Sequence, residues 1–245
     1  MDIFAHRGAS AAFPENTLLA FEQAIVQGAD GIELDVQYHH SGEFILLHDT
    51  YLDVTTNGQG AYDELPLADL LRLDAGRQEK IPTLMQALQL IRGRCRVNIE
   101  LKDPHSDPER LAAITALLKQ QFEQAVAGQA YRWEDFIVSS FNHHLLPAVK
   151  QACPRVATAA LIATSPLNYG EFTRALAVNQ LNISIDCLDP ALVQDARRRG
   201  LKLGVYTVDR QPDIRRCYDL GVDVIFSNAP EKSRDYLKTI ESSIS

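Results

Sequence analysis

The sequence predicts one (β/α)8 barrel spanning residues 1–245, and three observations point to it. Short apolar, β-branched runs alternate with helix-period segments from one end of the chain to the other, the pattern of a parallel sheet with crossover helices. Eight strand-then-helix units can be counted, in a length at which one barrel core still serves one domain. Several titratable residues fall at the C-terminal ends of the early strands, where barrels assemble their sites. An open doubly wound sheet is the rival, but Gly8-Ala9-Ser10-Ala11-Ala12 after the first strand lacks the G-x-G-x-x-G spacing such a sheet uses for phosphate.

The first strand is expected at 2–7, running into His6-Arg7-Gly8, and the first helix at 17–27, with Asn16 or Thr17 as its cap. The second strand, 31–38, is followed within a few residues by another apolar run, Glu43-Phe44-Ile45-Leu46-Leu47-His48-Asp49. The connection His39-His40-Ser41-Gly42 is too short for a parallel crossover, so these runs should form an antiparallel hairpin with His39 and His40 exposed in its turn. Residues 50–80 are polar and carry Asn57-Gly58-Gln59-Gly60; they are expected to form a small insertion. Regular alternation then resumes, with strands at 96–102, 135–141, 156–163, 182–187, 202–208 and 223–227. Helices are expected at 83–92, 108–126, 143–152, 168–178, 190–199, 211–220 and 230–240. Gly28, Gly93, Gly200 and Gly221 stand where helices should stop, and Pro190 and Pro212 where first turns should begin.

Composition narrows the classes of function. A formal net charge of −8 opposes attraction to a nucleic-acid backbone, and no basic stripe offsets it. No apolar stretch approaches the roughly 20 residues of a membrane span. The N-terminus reads directly as a strand, which leaves no room for a signal peptide, so a cytoplasmic location is expected. Cys95, Cys153, Cys187 and Cys217 are widely spaced, without a zinc or disulfide pattern, and are expected to be reduced thiols. Oligomeric state is not set by the sequence.

The chemistry-bearing set is assembled from distant segments. Glu33 and Asp35 share one face of the second strand, and Glu100 and Lys102 one face of the third, because side chains repeat every two residues. His6-Arg7 ends the first strand, and the hairpin returns His48 opposite Glu33 or nearby. Three carboxylates on rigid strands in an apolar barrel would repel one another and resist ionisation unless a cation sat among them. A hard divalent ion with oxygen ligands, Mg2+ or Ca2+, suits them better than zinc. Two histidines beside such an ion suit general acid and base work, and Arg7 or Lys102 could offset charge on a phosphoryl group. Arg197-Arg198-Arg199 is expected to serve a helix C-terminus, and His143-His144 to lie at the surface.

At these residues the chain resembles the glycerophosphodiester phosphodiesterase family. The elements are A-H-R-G at 5–8, P-E-N-T at 14–17, E-L-D at 33–35, H-D at 48–49, I-P-T-L at 81–84, E-L-K at 100–102 and S-S-F at 139–141. They occur in the family's order over nearly the whole chain. The resemblance implies a barrel with an insertion after strand two, and hydrolysis of glycerophosphodiesters to sn-glycerol 3-phosphate and an alcohol. It also implies His6 and His48 as the acid/base pair, Glu33, Asp35 and Glu100 as ligands of one divalent metal, and Arg7, Lys102 and Glu15 at the substrate. A route through a cyclic phosphate, formed by attack of a glycerol hydroxyl and opened by water, belongs to the same picture.

The chain departs from the family pattern in three places: Val54 stands where an arginine is usual, Asp209 where asparagine is usual, and Ser227-Asn228 where the last strand usually ends in Thr-Asp. None is expected to touch the metal or acid/base set, so the consequence is expected to fall on substrate choice. Two other readings accompany the hydrolase: a phospholipase D-like enzyme on intact phospholipids, and a non-catalytic barrel binding anionic metabolites.

Overall fold

The computed structural model describes residues 1–243. Eight parallel strands close on themselves: β1 (Asp2–His6), β2 (Gly31–His39), β4 (Arg96–Leu101), β5 (Phe136–Ser140), β6 (Ala157–Ile162), β7 (Gln180–Ser184), β8 (Lys202–Tyr206) and β9 (Val224–Ser227). The ring is sealed where β1 pairs with both β2 and β9. A ninth strand, β3 (Glu43–Leu46), runs antiparallel along β2, pairing Val36 with Leu46 and His39 with Glu43.

Period-two alternation divides each strand between two cores. Outward-facing Ile32, Leu34, Val97, Ile99 and Val138 pack against the surrounding helices, and Ile3, Leu181, Leu203, Val205 and Ile225 do so on the other side. Inward-facing Phe4, Ile137, Ala159, Val224 and Phe226 form a separate small cluster inside the barrel. Large and small residues alternate there: a Cβ on Gly31 would lie 2.5 Å from the Phe4 ring. Above this plug the interior turns polar, with Asn98, Ser139, Gln180 and Asn182 buried inside it.

The helices follow from caps and stripes. Thr17 caps α1 (Leu18–Val26), Thr83 and Gln86 form a capping box on α3 (Leu84–Ile91), and Asp107-Pro108 opens α4 (Pro108–Ala127). On α4, Ile114, Leu118 and Phe122 are buried at intervals of four, and Phe122 stacks on Phe136 at 4.3 Å. The remaining crossovers are α5 (Leu145–Ala152), α6 (Thr173–Leu176), α7 (Pro190–Arg198) and α8 (Gln211–Leu220), and α9 (Pro230–Ser242) closes the set.

Two elements differ from the sequence reading. The strand expected at 182–187 is β7, Gln180–Ser184: Gln180 Nε2 donates to Asn182 Oδ1 at 2.7 Å inside the barrel, so two polar residues serve a buried strand. Ile185–Cys187 then turn, with Ser184 Oγ accepting from the Asp186 N–H. The helix expected at 168–178 shrinks to four residues, because Gly170 N–H donates to Asp195 on α7 and Ala177 takes a left-handed conformation.

Between β3 and α3 the insertion carries the short α2 (Leu67–Leu70) and its own apolar cluster of Leu52, Tyr62, Leu70 and Ala75 against Ile45 and Leu47. This corrects the expectation for His39. Its ring is fully buried, with Nε2 donating to Leu65 O at 2.9 Å, so the hairpin turn is clamped to the insertion; of the two histidines, His40 is the exposed one.

Gly8 is where chain geometry and site meet. It adopts φ +82°, and a Cβ there would lie 2.7 Å from the Ala20 backbone of α1. Gly8→Ala is expected to destabilise the fold by about 2–3 kcal/mol, through backbone strain and overpacking together. Urea unfolding measures it; a midpoint equal to wild type would show that α1 does not press on this turn.

Candidate active site

The C-terminal mouth of the barrel gathers the residues expected to carry the acid/base, metal and substrate roles. Glu33 and Asp35 project from β2 and Glu100 from β4, and registry pairs Asp35 with Glu100 across the two strands. One carboxylate oxygen from each of the three lies within 4.8 Å of the others. His6 ends β1, in registry with Glu33, and His48 follows β3, its carbonyl held by Gln37 Nε2 at 3.1 Å. Together with Arg7 and Lys102 they line a cavity of about 220 Å³, with Asp35 packed beneath them.

Two cations hold the carboxylates. Arg7 Nε is 3.2 Å from Asp35 Oδ2, and Arg7 Nη1 donates to Glu15 Oε1 at 2.9 Å. Lys102 Nζ is 2.9 Å from Glu100 Oε1 and 3.4 Å from Asp35 Oδ1. Arg7 reaches this position by adopting φ +56°, which aims its own N–H at Glu33 Oε2, 2.9 Å away. Non-glycine residues in that region cost of order 1–3 kcal/mol and persist where their surroundings over-determine them.

These contacts pull the three acids apart. Burial first, then Asp35 and Glu100, push the Glu33 carboxyl well above its usual range. Burial and then Asp35 raise Glu100 to about 7, against the pull of Lys102. Burial also works against Asp35, but Lys102, Arg7 and His48 outweigh it and hold that carboxyl below its usual value. His6 is lowered by burial and by the neighbouring Arg7 charge, which favours its neutral ring.

The donor set fits a hard divalent cation. All three ligand groups are carboxylates, and Glu33 Oε1 is buried without a hydrogen-bond partner, an arrangement a cation would complete. A second group, His39, His40 and Asp63, lies at the insertion, where both His39 nitrogens are already engaged by Ser41 and Leu65.

Sequence reasoning assigned Asn16 to capping, and the structure places it in the site. Thr17 is the cap, whereas Asn16, at φ +55°, donates to Asp35 Oδ2 at 2.8 Å and accepts from the Asp35 N–H at 3.1 Å. Asn98 was missed although it stands two residues before Glu100 and so shares its face; it and Asn182 form part of the cavity lining. Phe141 and Tyr206 supply an aromatic wall, their rings edge to face at 6.0 Å. Asn228 corrects the expectation that the departures stand clear of the acid/base set: its Oδ1 lies 2.8 Å from His6 Nδ1.

The other candidates resolve away from the mouth. Arg197 donates to the last carbonyls of α8, Leu220 and Gly221, and Arg198 and Arg199 pair with Asp195. His143 is half-buried rather than superficial, stacked on Phe172 with Nε2 on Leu161 O.

The sequence model of the Glycerophosphoryl diester phosphodiesterase family matches residues 6–232. This chain belongs to that family. Among its relatives, a glycerophosphodiester phosphodiesterase of Caldanaerobacter subterraneus subsp. tengcongensis is 36% identical over 242 residues, 94% of each chain. One of Bacillus subtilis is 32% identical, covering 93% of this chain and 83% of its own. A phosphodiesterase of Oleispira antarctica, solved in complex with the product sn-glycerol-3-phosphate, superposes with a TM-score of 0.87 at 29% identity and covers 97% of both chains. Family membership makes the chain an enzyme, a phosphoric diester hydrolase. No helix among the described residues is long and apolar enough to cross a membrane.

The acid shifts predict a pH dependence. Glu100 binds more protons folded than unfolded between its ordinary 4.5 and about 7. Its contribution to stability is therefore present below that window and lost as pH rises through it. Without divalent cation, the melting temperature should fall more from about pH 5 to about pH 8 in wild type than in Glu100→Gln, and added Mg2+ or Ca2+ should offset the fall. Equal slopes for the two proteins would contradict the raised carboxyl.

Proposed function

We propose that this chain hydrolyses glycerophosphodiesters to sn-glycerol 3-phosphate and an alcohol, using one divalent cation, Mg2+ or Ca2+, held by Glu33, Asp35 and Glu100. The observation that carries this reading is the convergence of both histidines, both cations and the acidic triad on one cavity, in a chain of this family. The product bound in the Oleispira antarctica structure supports the same substrate class.

When bound, the cation would offset the charge of the acids and polarise a phosphoryl oxygen. Arg7 and Lys102 lie beside the acids and line the cavity, placed to balance the remaining charge of the phosphodiester. Glu15 orients Arg7 through its Nη1. His6, favoured in its neutral form, accepts the proton of the attacking hydroxyl, whether that of water or of the substrate's glycerol. His48, with Nδ1 3.1 Å from Asp49 Oδ1, returns a proton to the departing alkoxide as the phosphorus–oxygen bond breaks.

The test is release of glycerol 3-phosphate from glycerophosphocholine and related esters, with and without chelator. His6→Ala and His48→Ala should each lower kcat by about 10²–10⁴ while the protein stays folded. Undiminished turnover in chelator would remove the cation from the mechanism. Turnover of phospholipid vesicles in place of glycerophosphodiesters would move the assignment to intact lipids.

A further inference from the structure

The two departures at the ends of the last strands meet in space. Asp209 follows β8 and Asn228 follows β9, and the Asp209 carboxylate takes three hydrogen bonds from this corner. Its Oδ1 accepts from Ser227 Oγ at 2.9 Å and from the Asn228 N–H at 2.8 Å, and its Oδ2 accepts from Asn228 Nδ2 at 2.7 Å. On its other side, the Asn228 amide presents Oδ1 to His6 Nδ1 at 2.8 Å and to Ser10 Oγ at 2.8 Å. Ala11 N–H donates to Asn228 O at 2.9 Å, which fixes the backbone of this corner to the turn after β1.

The chemistry of these groups allows one arrangement. An ionised carboxylate only accepts, so the edge of Asn228 facing Asp209 must be its NH2, and the edge facing His6 must be its carbonyl. Rotating the amide by half a turn would set its oxygen against Asp209 Oδ2 with no proton between them. A carbonyl facing His6 Nδ1 at hydrogen-bond distance requires that nitrogen to carry hydrogen. The ring lines the cavity, and Nε2 is then the nitrogen with a free lone pair.

We propose that Asp209 and Asn228 are positioning residues that hold His6 in its Nδ1–H tautomer, so that Nε2 is the nitrogen available to exchange a proton in the cavity. Asp209 bonds to Ser227 and Asn228 and does not line the cavity; it acts by deciding which way the Asn228 amide points. The tautomer stands on the hydrogen bonds alone, whereas the kinetic arm of its test rests on the proposed function for the substrate, the cation and the proton-acceptor role of His6.

One isosteric change tests it. In Asp209→Asn, the retained Oδ1 still accepts from Ser227 and the Asn228 N–H, but the new NH2 faces the Asn228 NH2. That clash is relieved by turning the Asn228 amide, which presents NH2 to His6 and drives the ring to its Nε2–H tautomer. In the double variant D209N/N228D, the NH2 introduced at position 209 meets one oxygen of the carboxylate introduced at position 228, while the other oxygen again accepts from His6 Nδ1–H.

The ring nitrogens are read by NMR on 15N-histidine-labelled protein with Mg2+, the His6 signals being identified by their loss in His6→Gln, and kcat and KM are measured with glycerophosphocholine. The expected result is Nδ1–H in wild type, Nε2–H in D209N with kcat down about 10²-fold at unchanged KM, and return of both tautomer and kcat to within about fivefold of wild type in D209N/N228D. A D209N ring that keeps the wild-type tautomer, or a double variant that fails to restore it, would overturn the proposal; the double variant decides the matter if D209N does not fold. A tautomer that follows these changes while kcat stays constant would leave the positioning role standing and take the proton-acceptor role from His6.

Discussion

Three carboxylates share the mouth of this barrel within 4.8 Å of one another, and much of the surrounding structure compensates for that crowding. Taken out of water, each acid resists ionisation, and each ionised neighbour makes the next harder to ionise. Arg7 and Lys102 answer most of the charge at Asp35, which therefore stays ionised while Glu33 and Glu100 are raised. The result is a graded set of acids in which Glu33 Oε1 is buried without a hydrogen-bond partner. Such a set is poised to receive a hard cation and release protons as it does so.

Supporting that set requires unusual backbone. Arg7 and Asn16 both sit in the left-handed region, and they are tied to one another by the Asn16 N–H donating to Arg7 O at 3.0 Å. Arg7 thereby offers both its N–H and its guanidinium to the acids, and Asn16 offers both an amide donor and an acceptor to Asp35. Gly8 lets α1 pack against this turn, so the first crossover helix buttresses the site as well as the barrel wall. The strands keep the acids rigid, and the hairpin adds His48 without interrupting the parallel ring.

Much of the site was legible because strand periodicity carries direct geometric information. Glu33 with Asp35, and Glu100 with Lys102, share faces by counting alone, and a four-residue connection leaves β2 and β3 little choice but to pair. Asn98 was legible by the same rule and was passed over because a lone amide has no charge to draw attention. Asn16 was ambiguous for another reason: asparagine before a helix is a good cap, and nothing local reveals a contact with a strand 19 residues on. His39 illustrates the converse, since a histidine in a tight turn is normally exposed, and only the insertion folding over it explains its burial.

The sequence by itself determined the alternation of strands and helices, the face on which each acid stands, and the family, because these depend on local period and on motif order. Tertiary structure alone decided how the acids are counter-charged, which nitrogen of His6 faces the cavity, and what Asp209 and Asn228 do. The counter-charging depends on contacts among β1, β2 and β4, and the His6 contacts on β1, β8 and β9, strands joined only when the barrel closes. A hydrogen bond spanning 222 residues, such as that between His6 and Asn228, leaves no periodic trace in the chain.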